Sequence, residues 1–450
     1  MTVFGARDRR AQVGEGETPS RRTTWREYLR ALGPGLITGA SDDDPSGIAT
    51  YAQAGAQYGP SLLWVSLVTY PLMCAVQEIC DRTALATGLQ LGELVTKRFT
   101  RWGRFVVLIM LVVLVIANTL NIAADLVAVG SGMTLLHLGA TWLWALISGI
   151  AITVVISSGS FHQVSRILKL LCVSLLAFVV VAVVVTHHWG AILIDTVVPH
   201  LRFDSSYVTI LIAILGTTIS PYLLFWQSAN RLEEMREEPE GGDEPLSLAR
   251  RSRARATKKQ RMSRIDVFGG MALSNVVMFA IIAATAATLH VHHQTKILSA
   301  AQAAQSLRPL AGPFSSGLFA LGFIGSGMLA IPVLAASGSS ATSGLLGREW
   351  GFSRSIREAP MFYSLVALGT LGGTALSFVH INPIRLLVFV AIINGVIAAP
   401  LLAVVMIIAG NRRIMGDYLN GRIAKILGWA TVAIMGAASV DLFASGGLGW

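Results

Sequence analysis

Long apolar runs separated by short polar stretches dominate the chain from about residue 32 onward. Phe105–Ala117, continuing through Leu120, is one such run, and Leu170–Thr186 with its upstream turn is another. About 18 consecutive apolar residues are enough to cross a bilayer as a helix. The pattern predicts eleven spans, near 32–56, 61–86, 105–130, 140–158, 166–186, 206–229, 266–289, 314–340, 361–379, 384–409 and 424–444. The expected fold class is an all-α membrane protein, because a helix satisfies its own backbone hydrogen bonds within lipid.

Charge assigns the two faces. With the N-terminus inside, segments 1–31, 87–104, 166–169, 230–265, 341–360 and 410–425 hold 30 of the 35 Lys and Arg residues. Outside lie Arg202, Lys296 and Arg308, while Arg82 and Arg385 sit inside spans near their ends. Cytoplasmic loops carry the excess of Lys and Arg, so the expected protein is a multi-pass plasma (inner) membrane protein with a cytoplasmic N-terminus. Its C-terminal GGLGW then falls outside. The same asymmetry explains the net charge of +10 without nucleic acid as a partner; the bilayer is the partner expected.

Composition agrees with this class. The chain is 53% hydrophobic and 13% charged, with mean hydropathy +0.62, whereas soluble domains carry about 25% charged residues. Residues 1–31 are basic and polar, without the apolar core of a signal peptide, and read as a cytoplasmic tail. Cys74, Cys80 and Cys172 all lie in apolar segments and form no CxxC motif, so they read as small buried hydrophobes. Arg231–Arg264 begins acidic and turns basic, which predicts a solvated, partly disordered cytoplasmic loop. His290, His292 and His293 (HVHH), with His187 and His188, fall in predicted outside loops and read as surface residues. No P-loop, nucleophile triad or dinucleotide fingerprint stands in a credible context, so an enzyme is not expected, and neither is a cofactor.

The segment from 33 to 59, GPGLITGASDDDPSGIATYAQAGAQYG, breaks the apolar pattern with three adjacent acids, a proline and a glycine. An ionisable residue at membrane depth is costly and points to function. Pro45 lacks an N–H and disfavours helix at Asp44, and Gly47 permits unusual backbone angles, so a break is expected across Asp44–Gly47. Ser220–Pro221 supplies a second break in the sixth span. Paired breaks in the first and sixth spans fit a five-plus-five inverted repeat with the substrate between them. The repeats would cover about 32–186 and 206–409, followed by an eleventh helix over 424–444.

Several stretches together resemble the NRAMP family of divalent-metal transporters. Gly33–Pro34, Asp44–Pro45, Ala49–Thr50, Gln53–Ala54–Gly55 and Tyr58–Gly59 match its first-span pattern of GP, DPGN, AT and QAG-YG. Gln77, Arg82 and Thr87–Gly88 match in the second span, and Ala124–Asp125–Leu126 resembles TDLAE in the third. Gly216, Thr218, Pro221, Leu224, Ser228 and Ala229 match the sixth-span pattern G-x-T-x-MPHNLYLHSA. Asn411–Gly416 looks like RR-x-MG. The resemblance, from about 32 to 416, implies a leucine-transporter-like secondary transporter importing a divalent metal by alternating access.

The departures bear on the cation. The family's DPGN asparagine is Gly47 here, its MPH methionine is Ser220, its histidine is Tyr222, and the acid after the TDLAE aspartate is Ala128. Without the soft thioether, oxygen ligands suited to Mg²⁺ or Mn²⁺ remain; the family has a magnesium-transporting branch that also lacks the methionine. The usual proton route also loses its histidine and second acid, so proton coupling is expected to be weak, since tyrosine does not exchange protons readily at neutral pH.

Asp44 is the foremost metal-ligand candidate, with Asp43, Ser41, Gly47, Thr217, Ser220 and Asn394 as further candidates. Successive helical residues point about 100° apart, so Asp42, Asp43 and Asp44 cannot all face one ion unless the chain unwinds. Asn118, Asn121 and Asp125 fall at i, i+3 and i+7, one helical face. That polar stripe is either an ion or proton path, with Tyr222 opposite, or a line of interhelical hydrogen bonds. Gln77, Glu78, Asp81 and Arg82 read as an ion-paired cluster near the cytoplasmic end. Two other functions fit the same fold class: an organic-solute transporter, whose carboxylate substrate the acids would repel, and a non-transporting sensor, for which no output domain is apparent.

Overall fold

The computed structural model describes residues 33–444 apart from 159, 203, 239–240, 242–243, 296, 298–299 and 380–382. The expected basic tail, the GGLGW terminus and Lys296 lie outside the described residues, as does the side chain of Arg308. All regular structure among them is helical. The main helices are α1 (Pro34–Asp42), α2 (Pro45–Tyr58), α3 (Trp64–Thr87), α4 (Leu91–Arg98), α5 (Arg101–Leu135) and α6 (Thr141–Ser158). They continue with α7 (Phe161–Leu171), α8 (Leu176–Val185), α9 (Trp189–Val197), α10 (Ser205–Thr218), α11 (Pro221–Arg236) and α12 (Arg253–Thr285). The last are α13 (Ala300–Leu345), α14 (Pro360–Leu376), α15 (Pro383–Ala409), α16 (Arg412–Met415) and α17 (Arg422–Ala444).

Among the described residues, seven helical stretches are long and apolar enough to cross a membrane, and an eighth if Pro45–Leu62 and Trp64–Thr87, bent by 109°, are taken together. The expectation of eleven divides that pair and adds α6 and α14, which form where expected but are shorter apolar helices. Lipid contact is written on the outer faces. Trp102, Phe105, Val106, Ile109, Val113 and Ile116 are exposed along α5, while its opposite face is buried. Apolar exposure on that scale marks a surface made for another phase, and the chain is a multi-pass membrane protein.

Close helix contact depends on glycine. Gly35 and Gly39, four residues apart on α1, meet Gly270 of α12. A Cβ on Gly39 would come within 2.8 Å of Gly270 Cα, and one on Gly35 within 2.6 Å of Val267 N. Small residues let membrane helices approach to backbone contact. Gly270→Val is expected to overpack this seam at a cost of about 1–3 kcal/mol. A melting temperature in detergent equal to that of the native chain would contradict it.

The segment 231–264 departs from expectation. Arg231 is fully buried, α11 runs on to Arg236, and α12 already begins at Arg253. Leu248 is buried between them, and its carbonyl accepts from Tyr418 Oη at 3.2 Å. Opposite charges on the two halves pair: Arg251 with Glu238, and Lys259 Nζ with Glu238 at 2.6 Å and Glu234 at 3.0 Å. The acid-then-base order therefore folds the segment back on itself. His290 is not a free surface residue either. Its Nδ1 lies 3.1 Å from Ala56 O, and its ring covers Gly59, which sits at φ +59 where a Cβ would strike the ring. His187, His188, His292 and His293 are exposed or partly exposed.

Candidate functional site

Both expected breaks are present, and each has a local cause. Helix α1 ends at Asp42; Asp43 (φ −87, ψ 51) and Asp44 (φ −67, ψ 167) leave helical geometry, and Pro45 opens α2. Asp44 is the N-cap of α2. Its Oδ1 accepts from Gly47 N at 2.7 Å and from Ser46 Oγ at 2.5 Å, satisfying a donor that the helix start leaves free. The break is thus narrower than expected. It occupies Asp43–Asp44, and Gly47 belongs to the first turn of α2, where a Cβ would meet Asp42 O and Tyr51 Cε2 at 3.3 Å. The second break is at Ile219–Ser220, between α10 and α11, with Pro221 in the first turn of α11. Ser220 Oγ donates to Thr217 O at 2.6 Å and Gly216 O at 3.0 Å, closing the end of α10.

The two breaks meet through Tyr222. Its hydroxyl donates to Ser41 O at 2.9 Å and lies 3.5 Å from Asp44 Oδ2. The same Oδ2 accepts from Asn121 Nδ2 of α5 at 2.8 Å. Helices α1, α2, α5 and α11 therefore converge on one carboxylate. Ser41, Asp44, Asn121, Asp125, Ser220 and Tyr222 are each no more than 1% exposed, so the site is closed from both ends.

Asp42, Asp43, Thr217 and Asn118 bond to other groups. Asp42 Oδ2 and Asp43 Oδ1 both turn to Ser274 Oγ of α12, at 2.8 and 3.4 Å, leaving Asp42 Oδ1 and Asp43 Oδ2 buried without a donor. The Thr217 hydroxyl lies 3.1 Å from both Tyr51 Oη and Ile214 O, to which it donates. Asn118 departs from the path reading, since its Nδ2 donates to Leu334 O at 2.9 Å and Ser337 Oγ at 3.1 Å, binding α5 to α13. Both oxygens of Asp125 are buried with no donor. Asn394 is buried on α15 with Oδ1 unpartnered; among the described residues no hydrogen bond joins it to Asp44, Ser220 or Tyr222. Ser46 and Ser274 were not among the residues singled out from sequence. Ser46 is adjacent to the motif, but Ser274 arrives from 230 residues away and leaves no local signal.

Asp42, Asp43, Asp44 and Asp125 thus lie inside the bundle, and among the described residues no lysine or arginine donates to any of them. Buried unpaired anions are strongly disfavoured, so the arrangement is suited to hold cations. No three Asp, Glu, His or Cys side chains converge as a metal cluster among the described residues. A cation at Asp44 would therefore have at most one further carboxylate and complete its shell with neutral oxygens and water, the chemistry of hard ions.

A second buried charge system lies at the start of α1. Asp266 of α12 accepts from Gly33 N, Gly35 N and Leu36 N at 2.7, 2.8 and 3.1 Å, and from Arg231 Nη2 at 2.9 Å. Arg231 also donates to Asp81 Oδ1 at 2.6 Å and Glu234 Oε2 at 2.5 Å. The expected second-span cluster divides in two. Glu78 pairs with Arg82 and with Arg264, the latter at 2.7 Å, whereas Asp81 belongs to Arg231, Gln227 and Ser263. Arg231 and Asp266 were missed because in sequence they read as loop and span edge.

Comparison with known proteins agrees with this architecture. A divalent metal cation transporter, MntH, of Acidiphilium cryptum is 27% identical over 94% of this chain and 90% of its own length. The MntH of Aeromonas hydrophila is 26% identical over 90% and 93%. In structure, a manganese transporter of Eremococcus coleocola superposes with a TM-score of 0.73 at 17% identity, covering 95% of this chain and 89% of its own. A nucleobase-cation-symport-1 family transporter in a closed conformation matches with a TM-score of 0.55 at 13% identity over 92% of each chain. The solved structures show a shared fold, in which α1–α2 and α10–α11 of this chain are interrupted helices. The natural resistance-associated macrophage protein-like (Nramp) profile matches residues 35–445, and the chain belongs to the Nramp family.

Proposed function

We propose that this Nramp-family transporter imports a divalent cation of the hard type, Mg²⁺ or Mn²⁺, by alternating access around Asp44. The observation that carries the reading is the Asp44 carboxylate, buried where both helix breaks meet, touched by Asn121 and Tyr222 and, among the described residues, paired with no basic side chain. The relatives named as divalent metal cation transporters and the manganese transporter of like fold support the substrate class. The positive-inside distribution supports a cytoplasmic N-terminus, eleven crossings and a place in the plasma membrane.

Preference for hard ions follows from the donors. Beside the Asp44 carboxylate stand oxygen groups, the Tyr222 and Ser46 hydroxyls and, through Tyr222, the Ser41 carbonyl; the family's methionine position is the hydroxyl-bearing Ser220. Thr217 would act through water, since its hydroxyl is engaged elsewhere, and Asp43 through its unpartnered Oδ2. Mg²⁺ keeps several waters when bound, which suits a site with few protein charges. The direct test is uptake into proteoliposomes with a panel of competing cations. Mg²⁺ and Mn²⁺ are expected to compete, and Cd²⁺ blocking far below their concentrations would overturn the hard-ion assignment. Ser220→Met is expected to raise the potency of Cd²⁺ about tenfold or more; unchanged potency would place Ser220 outside the coordination sphere.

Proton coupling is weak on this reading. Tyr222, at the family's histidine position, spends its hydroxyl hydrogen on Ser41 O, and Ala128 offers no acid. Uptake is expected to leave the vesicle interior close to its starting pH. A cation-dependent acidification that disappears in Asp125→Asn would assign protons to Asp125 instead.

A further inference from the structure

Four oxygens on one face of α5 have no partner among the described residues: Asn118 Oδ1, Asn121 Oδ1 and both carboxylate oxygens of Asp125, one turn beyond Asn121. All are buried. Asn121 is oriented by its other amide atom, since Nδ2 donates to Asp44 Oδ2 at 2.8 Å. A carboxylate oxygen cannot donate, so the amide nitrogen must face Asp44 and the amide oxygen must be the free acceptor. Buried acceptors are nearly always satisfied, and an amide oxygen left open beside a carboxylate is a donor set waiting for a cation. The family's first-span asparagine, which would bring such an oxygen from α2, is Gly47 here, and its place is closed by Asp42 O and the Tyr51 ring.

We infer that Asn121 is a direct ligand and a selectivity determinant of the transported cation, its amide oxygen replacing the one lost at Gly47. The inference rests on the reading that Asp44 anchors that ion. The coordination sphere is thereby moved from the first break onto α5. Asp44 Oδ2 gives the charge, Asn121 Oδ1 a neutral oxygen, and Asp125 a second charge within one helical turn. Asn118 Oδ1 is also without a donor, but its Nδ2 is turned to Leu334 O and Ser337 Oγ of α13, whereas Asn121 Nδ2 is turned to the Asp44 carboxylate. This sphere also accounts for Asp125 having no donor of its own, because a bound divalent ion would be its counter-charge.

The test separates ligation from mere positioning of Asp44. In proteoliposomes, Asn121→Met is expected to raise the KM for Mg²⁺ or Mn²⁺ about tenfold or more, and to lower the Cd²⁺ inhibition constant by a similar factor, because a thioether now enters the sphere. Asn121→Asp keeps an oxygen but loses the N–H donor; its cation binding, titrated on purified protein, is expected to stay within a few-fold of native. If Asn121 only orients Asp44, Asn121→Met weakens uptake without changing Cd²⁺ potency, and Asn121→Asp fails as badly as Asn121→Met; either result overturns the inference. Should Asn121→Met not fold, judged by monodispersity in detergent, the Asn121→Asp titration decides alone. Native uptake in Asp44→Asn would instead reject the parent reading, whereas loss of uptake in Asp44→Asn beside unchanged KM and Cd²⁺ potency in Asn121→Met would reject this one only.

Discussion

Asp44→Asn is expected to reduce cation uptake to the background of empty liposomes while leaving the protein folded. The two halves of that expectation follow from the two oxygens. Oδ1 caps α2 by accepting from Gly47 N and Ser46 Oγ. Asparagine caps helices as well as aspartate does, and its amide oxygen can keep both bonds. The amide nitrogen then takes the place of Oδ2, opposite Asn121 Nδ2 and near the Tyr222 hydroxyl. A donor now faces a donor, and the charge that attracts a divalent ion is gone. Asp44→Ala would lose the cap as well, at about 1 kcal/mol, so the pair separates transport from stability. Melting curves for both variants and uptake of Mn²⁺ or Mg²⁺ form the measurement. Native rates in a folded Asp44→Asn protein would remove Asp44 from the mechanism.

The broken helices were legible because their cause is local. Proline after Asp44 and after Ser220 forbids continuous helix, and a charged residue within an apolar run has few harmless explanations. The stripe of Asn118, Asn121 and Asp125 was legible as a face, but not as a set of contacts. Its members divide, Asn118 binding α13 and Asn121 binding Asp44, because the division depends on which helix lies opposite each turn. Helical period says only which residues look the same way. Ser274, Arg231 and Asp266 were not legible for a related reason. Each acts across a tertiary contact, and Arg231 belongs to a charge-rich stretch whose composition resembles a solvated loop. What distinguishes it is burial with three acids around it, and sequence order does not contain that. Gly47 shows the opposite error. Its freedom suggested an unwound backbone, whereas the space it leaves is used by Asp42 O and Tyr51.

Arg231→Met is expected to cost about 3–5 kcal/mol, the largest loss of stability in the molecule outside the site. Removing one partner of a buried ion pair strands the others, and here Asp81 and Asp266 are both nine-tenths or more buried. The double variant Arg231→Met with Asp266→Asn removes one stranded charge and is expected to melt higher than Arg231→Met alone. Additive losses in that pair would show that the two side chains do not act together. The network also has a mechanical consequence. Three backbone N–H groups at the start of α1 end on the Asp266 carboxylate, so this short helix is held at its first turn by one side chain of α12. Beyond that turn the helix is held by the glycine contact with α12 and, at its far end, by Tyr222 on Ser41 O and Ser274 on Asp42. Asp266→Ala should therefore free the first turns of α1 before it unfolds anything else. In a background without the three buried cysteines, Thr38→Cys, fully buried on α1, is expected to resist a membrane-impermeant thiol reagent and to become reactive when Asp266→Ala is added. Equal labelling in the two proteins would mean that α1 is held by its packing, and that release of the first turn is not how the site opens.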